Sequence, residues 1–137
     1  MKHTTVSPEE TEALGEKLAG RLKKGSVVAL YGGLGAGKTA FVRGIARGMG
    51  LNARVTSPTF TIVNEYQDRL FHFDLYRINS FAELVDIGWD EYTERGVCAV
   101  EWSENAPELE NIANVRVKIA LRDENEREII IEGAEDI

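Results

Sequence analysis

The sequence has one cysteine, three prolines and no apolar run near the ~20 residues that cross a bilayer. A lone Cys98 excludes an internal disulfide, and its neighbours Val97, Ala99 and Val100 point to a buried, inert thiol. The first residues, Met1-Lys2-His3-Thr4-Thr5, lack the apolar stretch of a signal peptide, so a cytoplasmic location without membrane contact is expected. Basic charge is also scarce: 16 Lys and Arg face 23 Asp and Glu, for a net charge of -7. Phosphate neutralisation dominates nucleic-acid affinity, so tight unaided binding of DNA or tRNA is not expected. Residues 103–137 hold ten acidic and four basic side chains, a net of -6, which leaves -1 for the first 102. That acidic quarter either aids solubility or docks a partner electrostatically.

What is present reads as an ordinary globular chain. At 137 residues one domain, 1–137, is expected, able to bury roughly two thirds of its unfolded surface. The 43% apolar and 28% charged fractions sit near globular averages.

Ser7-Pro8-Glu9-Glu10 reads as a helix start, with Ser at the N-cap, Pro at the first helical position and Glu three residues after the cap. Leu14, Leu18 and Leu22 follow at helical spacing, and Gly25 is the expected end. Residues 26–31 form a short apolar run suited to a strand buried on both faces. Phe41, Val42, Ile45 and Met49 mark a second helix, stopped at Gly50. Two β-branched and aromatic runs, residues 59–66 and 70–76, are separated by Gln67-Asp68-Arg69 and suggest a hairpin. Ser80-Phe81-Ala82-Glu83 is a second capping box, opening a helix that stops near Gly88. Residues 97–101 are another buried strand. Residues 115–121 alternate strictly, turn at Asp123-Glu124-Asn125 and return over 128–132, a hairpin with one wet face. The fold expected is α/β: a P-loop NTPase-like domain with a mostly parallel sheet flanked by helices, plus antiparallel hairpins.

Between the first strand and the second helix lies Gly32-Gly33-Leu34-Gly35-Ala36-Gly37-Lys38-Thr39, a full match to G-x-x-x-x-G-K-[ST]. Glycines let successive backbone N–H groups turn inward as an anion cradle, where side chains would obstruct phosphates. The helix start beyond it, through Ala40, adds unpaired N–H groups and a positive dipole end. Lys38 can reach the β and γ phosphates, and Thr39 offers a hydroxyl to Mg²⁺. The competing account, a plain glycine-rich turn, does not explain the strand and helix read independently from periodicity.

Phosphoryl transfer to water needs acids at neighbouring strand ends to organise Mg²⁺ and the attacking water. Asp74 ends the run Leu70-Phe71-His72-Phe73, and Glu101 ends the run from Val97. Thr56-Ser57-Pro58-Thr59-Phe60-Thr61 is either a loop sensing the γ-phosphate or a plain turn. His72 alternates with Phe71 and Phe73 and reads as a packed strand residue rather than a base. Trp102 is either a nucleotide or partner contact or a core residue.

Taken together, the glycine loop, the segment at 56–61, His72-Phe73-Asp74-Leu75-Tyr76-Arg77 and Glu101-Trp102 resemble the TsaE family, formerly YjeE, over nearly the whole chain. The resemblance implies a weak Mg²⁺-dependent ATPase needed for the threonylcarbamoyl modification of adenosine 37 in tRNA. It implies the partners TsaD and TsaB, with tRNA met only through that complex. By the same resemblance Lys38 and the loop amides hold ATP, Thr39 and Glu101 bind Mg²⁺, Asp74 is tied to hydrolysis, and Thr4 or Thr5 approaches the adenine. Gly33 departs from the family, which usually carries an acid there.

Two other functions share the glycine loop. A small-molecule kinase normally adds an arginine-rich lid; none is evident, although Arg69 and Arg77 are available. A regulatory protein would hold ATP with negligible turnover. A guanine-specific switch lacks its Asn-Lys-x-Asp segment here.

Overall fold

The computed structural model describes residues 1–58, 62–134 and 137. Thirteen elements follow the chain: β1 (Lys2–Thr5), α1 (Pro8–Ala19), β2 (Val27–Tyr31), α2 (Lys38–Gly48), β3 (Val63–Tyr66), β4 (Leu70–Asp74), α3 (Phe81–Asp86), α4 (Trp89–Arg95), β5 (Val97–Glu101), a 3-10 turn (Ser103–Asn105), α5 (Leu109–Ile112), β6 (Val115–Leu121) and β7 (Arg127–Glu132). One seven-stranded sheet runs in the order β1-β7-β6-β2-β5-β4-β3. The central β6, β2, β5 and β4 are parallel, while β7, β1 and β3 add antiparallel edges.

Side-chain alternation divides the central strands between two cores. Val28, Leu30, Leu70, Val97 and Ala99 face α1 and α2, packing against Leu14, Leu18, Phe41 and Ile45. Val27, Ala29, Phe71, Phe73, Cys98 and Val100 face the opposite layer, against Leu84, Trp89 and Leu109. β6 and β7 bury Val117, Ile119, Ile129 and Ile131 on the α1–α2 side only, as the alternating pattern requires.

The two main helices lie unusually close. A Cβ at Gly44 would meet the Glu12 backbone, with the carbonyl carbon at 2.7 Å and Cα at 2.9 Å; one at Gly48 would sit 2.6 Å from both the Ala19 Cβ and the Glu16 carbonyl oxygen. Glu12 bridges Arg43 at 3.3 Å and Arg47 at 3.2 Å along the rim of this contact.

Several local expectations shift. Ser7 Oγ accepts from Glu10 N at 3.1 Å as a cap should, but Glu10 Oε1 accepts from Val6 N at 2.9 Å rather than from Ser7. α1 ends at Ala19, not at Gly25; Leu22 packs against the core from outside the helix, and Gly25 is a turn residue at φ 95°. α2 ends at Gly48, and Gly50 takes the left-handed conformation just beyond, at φ 74°. At α3 the Ser80 hydroxyl caps nothing; Glu83 instead accepts from Asn79 N at 3.0 Å. Gly88 does follow α3, at φ 107°, but it also opens α4. α4, α5 and β1 are elements that sequence periodicity misses. β3 begins at Val63, and the part of its expected run at 59–61 lies outside the described residues.

Candidate functional site

β2 is buried, parallel and central, so its C-terminal end delivers the glycine loop to the crevice formed by the ends of β4 and β5. A cleft of about 650 Å³ opens there, lined by residues 33–40 and by Ser57, Asp74, Arg77, Glu101, Trp102 and Arg127 among others. Gly33 and Gly35 face open space, and Gly35 and Gly37 take φ of 73° and 108°, conformations that side chains resist. The amides of Gly37, Lys38, Thr39 and Ala40 have no acceptor among the described residues, as expected at a helix start without a side-chain cap. They point a concentrated positive dipole into the cleft.

Lys38 is almost wholly buried. Its Nζ donates to the carbonyls of Gly32 and, at 3.1 Å, Gly33, and lies 3.9 Å from the centre of the Trp102 ring. Burial pulls its ammonium below the ordinary lysine value, against the opposing influence of Glu101, Glu104 and Asp74. Trp102 takes the left-handed conformation at φ 57°, which turns its ring out of the β5 line to lie between Lys38 and Tyr76, 5.0 Å away.

The two acids singled out by sequence come together. Parallel pairing sets Asp74 directly opposite Glu101. Thr39 Oγ1 donates to Glu101 Oε2 at 2.8 Å, joining the head of α2 to the tip of β5. Asp74 accepts from Ser57 Oγ at 3.0 Å through Oδ2 and from Tyr76 N at 3.0 Å through Oδ1. Of the segment at 56–61, then, Ser57 reaches the site and Pro58 lines it; Thr59, Phe60 and Thr61 lie outside the described residues.

Two expected contacts fall elsewhere. Thr5 is buried at 4% exposure, with its hydroxyl committed to Thr11 Oγ1 at 2.8 Å; Thr11 lines the cleft, and Thr5 does not. Pairing of β1 with β7 causes this, because Thr5 sits opposite Arg127 and turns inward. Gly32 is outside the cleft as well. Its N–H donates to Glu104 Oε2 at 3.0 Å and its carbonyl holds Lys38, so it braces the loop from behind.

Sequence reasoning missed Arg127. From the start of β7 its Nε donates to Ala36 O at 3.0 Å and its Nη2 to Gly35 O at 3.2 Å, while Nη1 reaches the carbonyls of Asp123 and Glu124. Every nitrogen of the guanidinium is thus spent on backbone carbonyls, two of them in the glycine loop. His72 was expected only to pack. It is fully buried, yet its Nε2 lies 2.5 Å from Glu101 Oε2.

Among the described residues no helix is long and apolar enough to cross a membrane. A family model described as "Threonylcarbamoyl adenosine biosynthesis protein TsaE" matches residues 5–129. The tRNA threonylcarbamoyladenosine biosynthesis protein TsaE of Bacillus subtilis is 44% identical over 133 residues, 94% of this chain and 83% of that protein. The Treponema pallidum protein of the same name is 39% identical over 96% of this chain and 99% of its own length. The crystal structure of Bacillus subtilis YdiB superposes with a TM-score of 0.74 at 39% identity, covering 94% of this chain and 82% of that one. Sequence, fold and the order of the motifs agree, and the chain belongs to the TsaE family.

Proposed function

We propose that this chain binds ATP with Mg²⁺ over the glycine loop, hydrolyses it, and acts as the ATP-dependent subunit in threonylcarbamoyl modification of adenosine 37 in tRNA, working on a TsaD–TsaB complex. The observation that carries the chemistry is the Thr39–Glu101 hydrogen bond at the head of α2. It gathers a hydroxyl and a carboxylate, both hard oxygen donors, beside free amides and a buried lysine. Mg²⁺ is usually held by one or two such protein oxygens together with substrate phosphates. The cleft volume falls in the range of small-molecule sites.

In this reading the amides of residues 37–40 and Lys38 Nζ bind the triphosphate, and Thr39 and Glu101 would hold Mg²⁺. The bound ion supplies neutralisation of the phosphate charge. Lys38 must leave the carbonyls of Gly32 and Gly33 to meet the phosphates, an exchange that keeps its ammonium partnered in both states. Asp74, held at both oxygens by Ser57 and Tyr76, orients the attacking water and accepts its proton. Arg77 in the cleft wall is the cis candidate for steadying the leaving charge; Arg127 is not, because the loop carbonyls occupy it.

The net charge of -7 disfavours independent tRNA binding, and in this reading the RNA surface belongs to a partner. The deciding experiment is ATP turnover measured alone, with a TsaD–TsaB complex, and with that complex plus tRNA. Slow turnover alone with stimulation by the complex is expected. Equal rates in all three, with phosphate transferred to an added small-molecule hydroxyl, would replace this reading with a kinase.

A further inference from the structure

His72 is fully buried in β4, and its role is set by strand register. Leu70, His72 and Asp74 alternate onto the α2 face of the sheet, as do Val97, Ala99 and Glu101 on β5. His72 pairs directly with Ala99, so Glu101 is its diagonal neighbour on the same face, within reach of a long side chain. The small Ala99 leaves the intervening space to the imidazole. Nε2 closes on Glu101 Oε2 at 2.5 Å.

That oxygen also receives the Thr39 hydroxyl at 2.8 Å. An ionised carboxylate only accepts, which assigns the hydrogen to Nε2 of His72. Nδ1 then presents a lone pair and has no partner among the described residues. A buried polar atom without a partner is disfavoured, so the Nε2 contact to Glu101 must offset the cost of burying Nδ1.

We infer that His72 is a positioning residue for Glu101: it fixes the carboxylate from the core side and thereby sets the affinity of the Thr39–Glu101 pair for a divalent cation. This rests on the Mg²⁺ reading above. When the Thr39 hydroxyl turns its lone pairs to a cation, its hydrogen need no longer point at Oε2. His72 then remains as the buried donor that stops the carboxylate rotating. Donors placed behind metal ligands in this way typically change metal affinity 10–100-fold when removed.

The test titrates Mg²⁺ against binding of a non-hydrolysable ATP analogue, followed by calorimetry, for the parent, His72→Phe, His72→Gln and Glu101→Gln. Phe keeps the ring volume and removes the donor; Gln restores a terminal N–H near the position of Nε2. His72→Phe is expected to raise the half-saturating Mg²⁺ concentration by about 10-fold or more, with analogue affinity in EDTA unchanged and turnover recovering at high Mg²⁺. His72→Gln is expected to recover most of that shift. Should His72→Phe fail to fold, His72→Met, unbranched and also donorless, replaces it. If the donorless variant titrates like the parent while Glu101→Gln is shifted, the role given to His72 is wrong. If Glu101→Gln is also unshifted, the cation site itself is wrong.

Discussion

Adding a single methyl group at Gly44 tests how α2, which carries Lys38 and Thr39 at its head, is held in place. By helix propensity alone Gly44→Ala should stabilise the protein by about 0.8–1 kcal/mol. The packing predicts the opposite. The new Cβ would meet the Glu12 carbonyl carbon at 2.7 Å and Cα at 2.9 Å, backbone atoms that no rotamer change can move aside. α2 must retreat from α1, opening gaps around Leu14, Leu18, Phe41 and Ile45. Overpacking of this kind typically costs about 1–3 kcal/mol, and the rigid partner places this site at or above the upper end. A net loss of about 2 kcal/mol is expected. The unfolding entropy of a chain this long is about 0.3 kcal/mol/K, so the melting midpoint should fall by about 7 °C. Gly20→Ala is the control, since Gly20 has φ -65° and its Cβ would find only Lys17 O at 3.6 Å. Differential scanning calorimetry reads both. A Gly44→Ala protein melting at or above the parent temperature would refute the close-packing argument; one that melts low should also bind nucleotide more weakly, because the retreat displaces Lys38 and Thr39.

Three further outcomes are expected. Because burial lowers the pKa of Lys38 from its ordinary 10.5, its ammonium is lost at a lower pH than a surface lysine's. Phosphate binding needs the charged form, so ATP affinity should hold near neutrality and decline at a lower pH than an ordinary lysine would dictate, a decline the always-charged Lys38→Arg variant should not follow; parallel pH profiles would contradict this. Arg127→Met removes two donors to the glycine loop and should weaken ATP binding by roughly tenfold or more in calorimetry, judged by the ~1.5–3 kcal/mol of a charged hydrogen bond; unchanged affinity would make the clamp idle. Burial pushes the Cys98 thiol up to about 12, so a thiol reagent at about pH 8 should label the native protein only as fast as it unfolds, and rapid stoichiometric labelling would place Cys98 elsewhere.

The glycine loop, β2, α2 and the β6–β7 hairpin are legible in the sequence because their signals are local: a fixed motif, an apolar run, a helical spacing, a strict alternation. What is missed depends on pairing. α4 is a mostly polar heptad that buries only Trp89, too little apolar pattern to announce a helix. β1 is four residues long and exists because β7 offers it an edge. Leu22 continues the spacing of Leu14 and Leu18 and still packs on the core, which is why periodicity overruns the true end of α1. Asp74 and Glu101 are readable as strand-end acids, whereas the His72 contact to Glu101 needs the register of β4 against β5. The hold of Arg127 on the glycine loop has no local signal, since its two partners there are about ninety residues upstream.

That distance also orders events in time. The loop occupies residues 32–39, but its outer carbonyls are gripped from residue 127. Chains are made from the N-terminus, and long-range contacts form late because loop closure must come first. A nascent chain therefore carries the whole glycine motif, with β2 and α2 already synthesised, well before the clamp exists. Nucleotide capture should arrive as a late step of folding, after β7 has closed the sheet, rather than as a nucleus around which the chain assembles.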